Sequence, residues 1–210
     1  MLIKLCGMRR PEDIEYVNME KPDFVGFILA DGYRRTISAE QAAKLASSLD
    51  SEIKPVGVFI DQPPELLAEA VKKIGLYAVQ LHGNEDAGYI SHLRKLTKAQ
   101  IWKAARVQTA EDIHRADLCG ADMLVLDSFS PNANGGTGKT ADWELIKSVR
   151  TNIPYLLAGG IDINNIKQAI KILPVDCGID VSSGTETDGV KDPDKIKAIM
   201  NIVRKVDKDV

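Results

Sequence analysis

Pro55-Val-Gly-Val-Phe-Ile60, Pro64-Glu-Leu-Leu-Ala-Glu-Ala-Val-Lys-Lys-Ile74 and Ala78-Val-Gln-Leu-His82 follow one another with only short connections. The first and last runs are rich in Val, Leu, Ile and Phe, as expected of strands buried in a parallel sheet. Between them Leu67, Ala70, Val71 and Ile74 recur at the helical period and share one face, with Gly75 where a helix C-cap belongs. The stretch is a strand-helix-strand unit. Outward from it the pattern repeats, giving strands at Leu2–Cys6, Phe24–Leu29, Pro55–Ile60, Ala78–His82, Ile101–Ala105, Met123–Asp127, Tyr155–Ala158 and Gly178–Ser182. A last helix, Pro193–Val206, carries Ile196, Ile199, Met200 and Val203 on one face. Helix starts have fitting chemistry: Ser38 with Gln41 and Thr109 with Asp112 stand at capping-box spacing, Asp192-Pro193 is an N-cap followed by proline, and Gly120, like Gly75, sits at a helix end. A doubly wound sheet uses five or six parallel strands, whereas eight alternating units close into a barrel. At 210 residues the chain allows about 26 per unit, so the expectation is a single-domain α/β (β/α)8 TIM barrel over residues 1–210.

Composition excludes several function classes. The chain is 44% hydrophobic and 27% charged with a net charge of -3, which disfavours disorder and offers no dense basic face for nucleic acid. No apolar run reaches membrane-spanning length, so no membrane partner is expected. Three widely spaced cysteines, Cys6, Cys119 and Cys177, build neither a disulfide framework nor a paired metal motif. With an N-terminus that runs straight into a strand, they point to the reducing cytoplasm.

In such a barrel the chemistry sits at the C-terminal ends of the strands. Cys6 ends the first, Gln80 and His82 lie in or at the end of the fourth, Asp127 ends the sixth, and Asp180, Ser182 and Ser183 close the eighth. Glycines gather in the last three loops: Gly136 and Gly138 after strand six, Gly159 and Gly160 after strand seven, Gly184 after strand eight. Glycines let backbone N–H groups approach an anion, and the loops after strands seven and eight are where this fold holds phosphate. Gly138-Lys139-Thr140 is not the end of a Walker A loop, which would need glycine where Ala133 stands. Gly136-x-Gly138-x-x-Ala141 follows the sixth strand rather than opening a first βα turn, so it is no dinucleotide fingerprint.

Lys4-Leu-Cys-Gly-Met8, Gln80-Leu-His-Gly83, Leu126-Asp-Ser128, Gly135-Gly-Thr-Gly-Lys139, Ala158-Gly-Gly160 and Asp180-Val-Ser-Ser-Gly184 resemble, in order, the signature blocks of the phosphoribosylanthranilate isomerase family. The resemblance implies a barrel of tryptophan biosynthesis. Its reaction is an Amadori rearrangement of N-(5-phosphoribosyl)anthranilate to 1-(2-carboxyphenylamino)-1-deoxyribulose 5-phosphate, with no metal or organic cofactor and a small phosphosugar as partner. It leaves monomer or homodimer open.

That reaction needs an acid for the ribose ring oxygen and a base for the C2 proton. By resemblance Cys6 is the base and Asp127 the acid, placed across the barrel mouth. Cys6 then needs nearby positive charge to be partly thiolate, and Asp127 needs desolvation to be partly protonated. Gln80, His82 and Asp180 are expected to orient neighbours or substrate rather than move protons. Cys119 and Cys177 read as small buried apolar residues. A cation is expected for the substrate's anionic groups, and the family's loop Ser-x-Arg-x-Val/Ile-Ser, here Tyr33-Arg-Arg-Thr-Ile-Ser38, selects Arg35 over Arg34. Tyr33 in place of serine, and Thr185 where valine is common, depart from the family pattern. The weighed alternatives are a sister phosphosugar barrel and a non-catalytic metabolite-binding barrel. The histidine-pathway isomerase would carry aspartate at the position of Cys6, and indoleglycerol phosphate synthase a lysine at the end of strand two or three.

Overall fold

The computed structural model describes residues 1–127, 143–174 and 177–206. Among them β1 (Leu2–Cys6), β2 (Phe24–Ile28), β3 (Lys54–Phe59), β4 (Ala78–Leu81), β5 (Gln100–Arg106), β6 (Met123–Asp127), β7 (Tyr155–Ala158) and β8 (Gly178–Val181) close into a parallel barrel in chain order. Helices α1 (Pro11–Glu20), α2 (Ala39–Ala46), α3 (Pro64–Ile74), α4 (Ala87–Leu96), α5 (Ala110–Asp117), α6 (Trp143–Ser148), α7 (Ile166–Ile172) and α8 (Pro193–Val206) alternate with the strands, making the fold a (β/α)8 TIM barrel. Four strands stop one residue short of the sequence expectation, at Ile28, Phe59, Leu81 and Val181. Leu29 and His82 each still donate one backbone bond, to Val58 and Phe59 at 2.9 and 2.8 Å, before the chain leaves the ladder for the mouth.

Alternation along each strand sorts the side chains into two layers. Ile3, Leu5, Val25, Phe27, Leu124, Leu126, Ile179 and Val181 face outward and share one core with the helices, including Leu67 and Ile74 of α3 and Ile196, Ile199, Met200 and Val203 of α8. Phe24, Val56, Ala78, Trp102, Met123, Val125 and Leu156 form a second, inner cluster that plugs the barrel floor. There Phe24 meets Trp102 edge-on, centroids 4.9 Å apart, and the Trp102 indole N–H donates to Gln100 Oε1 at 2.9 Å. Above this floor the inner face turns polar.

Thr109 and Asp112 make the full reciprocal capping box, but Ser38 and Gln41 make half of one. Ser38 Oγ accepts the Gln41 N–H at 3.1 Å, while the Gln41 amide donates to the Arg9 carbonyl at 2.8 Å and so ties the start of α2 to the loop after β1. Between β8 and α8 lies a hairpin that the sequence reading did not anticipate, β9 (Glu186–Thr187) and β10 (Val190–Lys191). Its turn residues Asp188 and Gly189 have φ of +50° and +78°, the two positive values of the tight hairpin turn that Asp-Gly favours. Among the described residues no helix is long and apolar enough to cross a membrane.

Candidate active site

Two residues above the floor, β1 turns Lys4 and then Cys6 inward. The Lys4 ammonium is completely buried and lies 2.9 Å from Asp180 Oδ2 on the neighbouring β8. Space for this pair comes from β2: Gly26 is the register partner of Cys6, and a Cβ there would fall 2.6 Å from Cys6 Sγ and 3.2 Å from Lys4 Cε. Burial works against the Lys4 charge, but the Asp180 carboxylate and then Cys6 more than offset it, so its pKa stands above the ordinary lysine value.

Asp127 ends β6. Burial raises its carboxyl above the ordinary value, the Asp180 charge adds to this, and Arg106, its register partner on β5, opposes it. His82 Nε2 is 3.8 Å from Asp127 Oδ2, but burial and then the Lys4 charge push the imidazole down to about 4. At neutral pH His82 is therefore uncharged and does not neutralise Asp127. Its Nδ1 pairs with Gln80 Nε2 at 3.1 Å. Gln80 Oε1 and Asp180 Oδ1 are buried and accept no hydrogen bond among the described residues, leaving two acceptors for incoming donors.

Arg35 reaches the mouth from the loop after β2, its side chain lying against Gly7, whose φ is +89°. Arg35 Nη1 donates to Ser182 Oγ and, at 3.1 Å, to Glu186 Oε1. Arg34 takes the other Glu186 oxygen at 2.8 Å and is mostly exposed. Lys191 of β10 is buried beneath the turn after β8, donating to Ser182 O, Thr185 Oγ1 and Glu186 Oε1 at 2.8, 2.9 and 3.4 Å. Burial, against the Glu186 charge, lowers its pKa to about 8. Ser183 and Gly184 lie in a short 3-10 turn (Ser183–Thr185). Gly184 packs on the loop after β7 so closely that a Cβ would sit 2.0 Å from the Ile161 carbonyl. That neighbouring loop opens with Gly159 and Gly160, at φ +92° and +66°.

Thus Cys6, Arg35, Gln80, His82, Asp127, Asp180, Gly159, Gly160, Ser182, Ser183 and Gly184 converge on the C-terminal end of the barrel. Gly136 and Gly138 lie outside the described residues. Cys119 follows α5 and Cys177 precedes β8, at the opposite end. The sequence reading named no role for Lys4, Arg106, Glu186 or Lys191. Lys4 carried a signal, a charged residue two positions before Cys6 and so on the same strand face. Among the described residues no group of three His, Cys, Asp or Glu side chains is disposed to hold a metal ion.

A parallel barrel whose C-terminal mouth carries a thiol, two carboxylates and an imidazole beside paired glycine turns defines a (β/α)8-barrel enzyme. Residues 3–202 match the family model for N-(5'-phosphoribosyl)anthranilate isomerase. A relative of that name from Thermoanaerobacter pseudethanolicus is 43% identical, over 96% of this chain and 97% of that protein. The crystal structure of phosphoribosyl anthranilate isomerase from Thermotoga maritima superposes with a TM-score of 0.88 at 32% identity, covering 98% of this chain and all of that one. A further isomerase structure, in complex with reduced 1-(o-carboxyphenylamino)-1-deoxyribulose 5-phosphate, gives 0.83 at 30% identity, with 98% and 100% covered. The chain belongs to the phosphoribosylanthranilate isomerase family.

Proposed function

We propose that this protein converts N-(5'-phosphoribosyl)anthranilate to 1-(o-carboxyphenylamino)-1-deoxyribulose 5-phosphate in the cytoplasm, acting as one domain in tryptophan biosynthesis. The carrying observation is that Cys6 at the end of β1 and Asp127 at the end of β6 both stand at the C-terminal mouth of the barrel, with the buried Lys4–Asp180 ion pair of β1 and β8 below. In this reading the Asp127 carboxyl donates its proton to the ribose ring oxygen as the C1–O bond breaks, and the anthranilate nitrogen supplies the electrons that form the Schiff base. The Cys6 thiolate then removes the C2 proton, giving an enaminol. Transfer of a proton from the C2 hydroxyl to C1 yields the ketone, and exchange with solvent resets Cys6 and Asp127. Desolvation of Asp127 supports the acid role, because it favours the protonated carboxyl.

Gln80 Oε1 and Asp180 Oδ1 suit the sugar hydroxyls, since each is a buried acceptor without a donor among the described residues. His82, neutral and tied to Gln80, orients that amide. Close packing of the loops after β7 and β8 supports a phosphate seat at Gly159, Gly160, Ser182, Ser183 and Gly184; Gly136 and Gly138 are assigned to the same seat from sequence. Arg35 contacts Ser182 and Glu186 through Nη1, which leaves Nε and Nη2 for the anthranilate carboxylate. None of Cys6, Cys119 and Cys177 is in a disulfide, which suits a reducing compartment.

The test is mixing purified protein with freshly generated phosphoribosylanthranilate and following loss of anthranilate-type fluorescence. Rapid loss is expected; no loss at micromolar enzyme would refute the assignment. Arg35→Ala should raise KM about 10- to 100-fold, the value of a charge-assisted hydrogen bond, with kcat within about threefold. Loss confined to kcat would contradict a contact that is uniform across ground and transition states.

A further inference from the structure

We propose that Glu186 is the positioning residue for Arg35: its carboxylate, carried by the β9–β10 hairpin, fixes one end of the guanidinium so that the side chain meets the substrate's carboxylate already oriented. The inference rests on the reading of Arg35 as the residue that binds that group. A loose arginine gives up rotamer freedom on meeting an anion, and one already held gives up less. Glu186 Oε1 accepts from Arg35 Nη1 at 3.1 Å and Oε2 from Arg34 Nη2 at 2.8 Å. Lys191 Nζ shares Oε1 at 3.4 Å. The Arg35 side chain also lies against Gly7, where a Cβ would fall 3.0 Å from its Cδ and 3.2 Å from its Nη1. The guanidinium is thus tied by Glu186 and Ser182 and passes over bare backbone. The hairpin is itself anchored to the chain after β1: Arg9 Nη2 donates to the Gly189 carbonyl at 2.9 Å and Arg10 Nη2 to the Lys191 carbonyl at 3.2 Å. Burial works against the Glu186 charge, but Lys191 and then Arg35 more than offset it, holding its carboxyl below the ordinary glutamate value. Three cations around one carboxylate leave the cluster positive, so Glu186 orients Arg35 without cancelling its pull on an anion.

Glu186→Gln, Arg35→Ala and the double variant separate this role from a structural one, read by steady-state kinetics with phosphoribosylanthranilate. Glutamine keeps the shape but has one acceptor oxygen where the carboxylate has two, and it turns an amide toward one of the two arginines. KM is expected to rise about tenfold in Glu186→Gln with kcat within about threefold, the scale of one lost charge-assisted hydrogen bond. In the Arg35→Ala background the same change should add less than about twofold, because the group it positions is gone. An equal rise in both backgrounds overturns the proposal, since Glu186 would then serve only the fold of the hairpin. An unchanged KM in Glu186→Gln also overturns it, and so does a lowered one, in which the carboxylate competes with substrate for Arg35. If Glu186→Gln does not fold, Glu186→Asp takes its place: it keeps a charge near Lys191 but draws the carboxylate back from Arg35, and the same comparison applies. Failure of both to fold overturns the proposal, because the carboxylate is then a structural group. An unchanged KM in Arg35→Ala instead removes the assignment of Arg35 itself, an outcome distinct from the effect of Glu186→Gln in otherwise wild-type protein.

Discussion

Cys6→Ser should lower kcat about 100- to 10,000-fold, the range for loss of a positioned general base, while KM stays within about threefold. Serine is close to isosteric, so the packing against Gly26 and Lys4 is kept and the substrate still meets the same walls. What changes is chemistry: a serine hydroxyl ionises far less readily than a thiol, and a neutral hydroxyl removes a carbon-bound proton poorly. The bond from Ser182 Oγ to the Cys6 carbonyl, 3.3 Å, is a backbone contact and survives the change. The melting temperature should accordingly stay within a few degrees of wild type. Steady-state kinetics of the folded variant decide the matter, and a kcat loss below about tenfold would sink the base assignment.

How far the molecule was legible in its sequence depends on which interactions set each feature. The barrel was, because period-two and period-3.6 hydrophobicity are local and repeat through the chain. Strands β1, β6 and β7 and helices α3 and α8 have the boundaries their patterns predict. The β9–β10 hairpin escaped because each of its strands has two residues, too few for alternation to show; Asp188-Gly189 was the signal available. At the mouth, strand ends announced which residues converge, but not their pairings. Lys4 finds Asp180 across 176 residues of sequence, and only barrel closure between β8 and β1 makes them neighbours. Gln41 was read as a capping partner and instead binds a carbonyl of the loop after β1, a choice set by loop packing rather than helix chemistry. Electrostatic environments were the least legible. The neutral state of His82 follows from its burial near Lys4, which no local pattern encodes.

Asp127→Asn should also lower kcat about 100- to 10,000-fold, since an amide occupies the same space but cannot give up a proton to the ring oxygen. Unlike the serine variant, it should be more stable than wild type. Burial and the nearby Asp180 charge hold the Asp127 pKa above its ordinary value. A carboxyl so shifted contributes stability in full below its unfolded pKa and loses that contribution as pH rises through the folded one. At neutral pH its ionised form is thus a net cost, and His82, uncharged at 3.8 Å, does not relieve it. Asparagine escapes the cost. The melting temperature of the variant relative to wild type should therefore rise with pH, from near zero in strong acid to a positive difference at neutrality. The same shift sets the activity profile: wild-type kcat/KM should fall as pH rises through the Asp127 pKa, and the residual activity of the variant should lack that limb. Melts at two pH values and one pH–rate series check both. If the variant is less stable at neutral pH, the carboxylate is held by favourable contacts, and the desolvation that supports its acid role is absent.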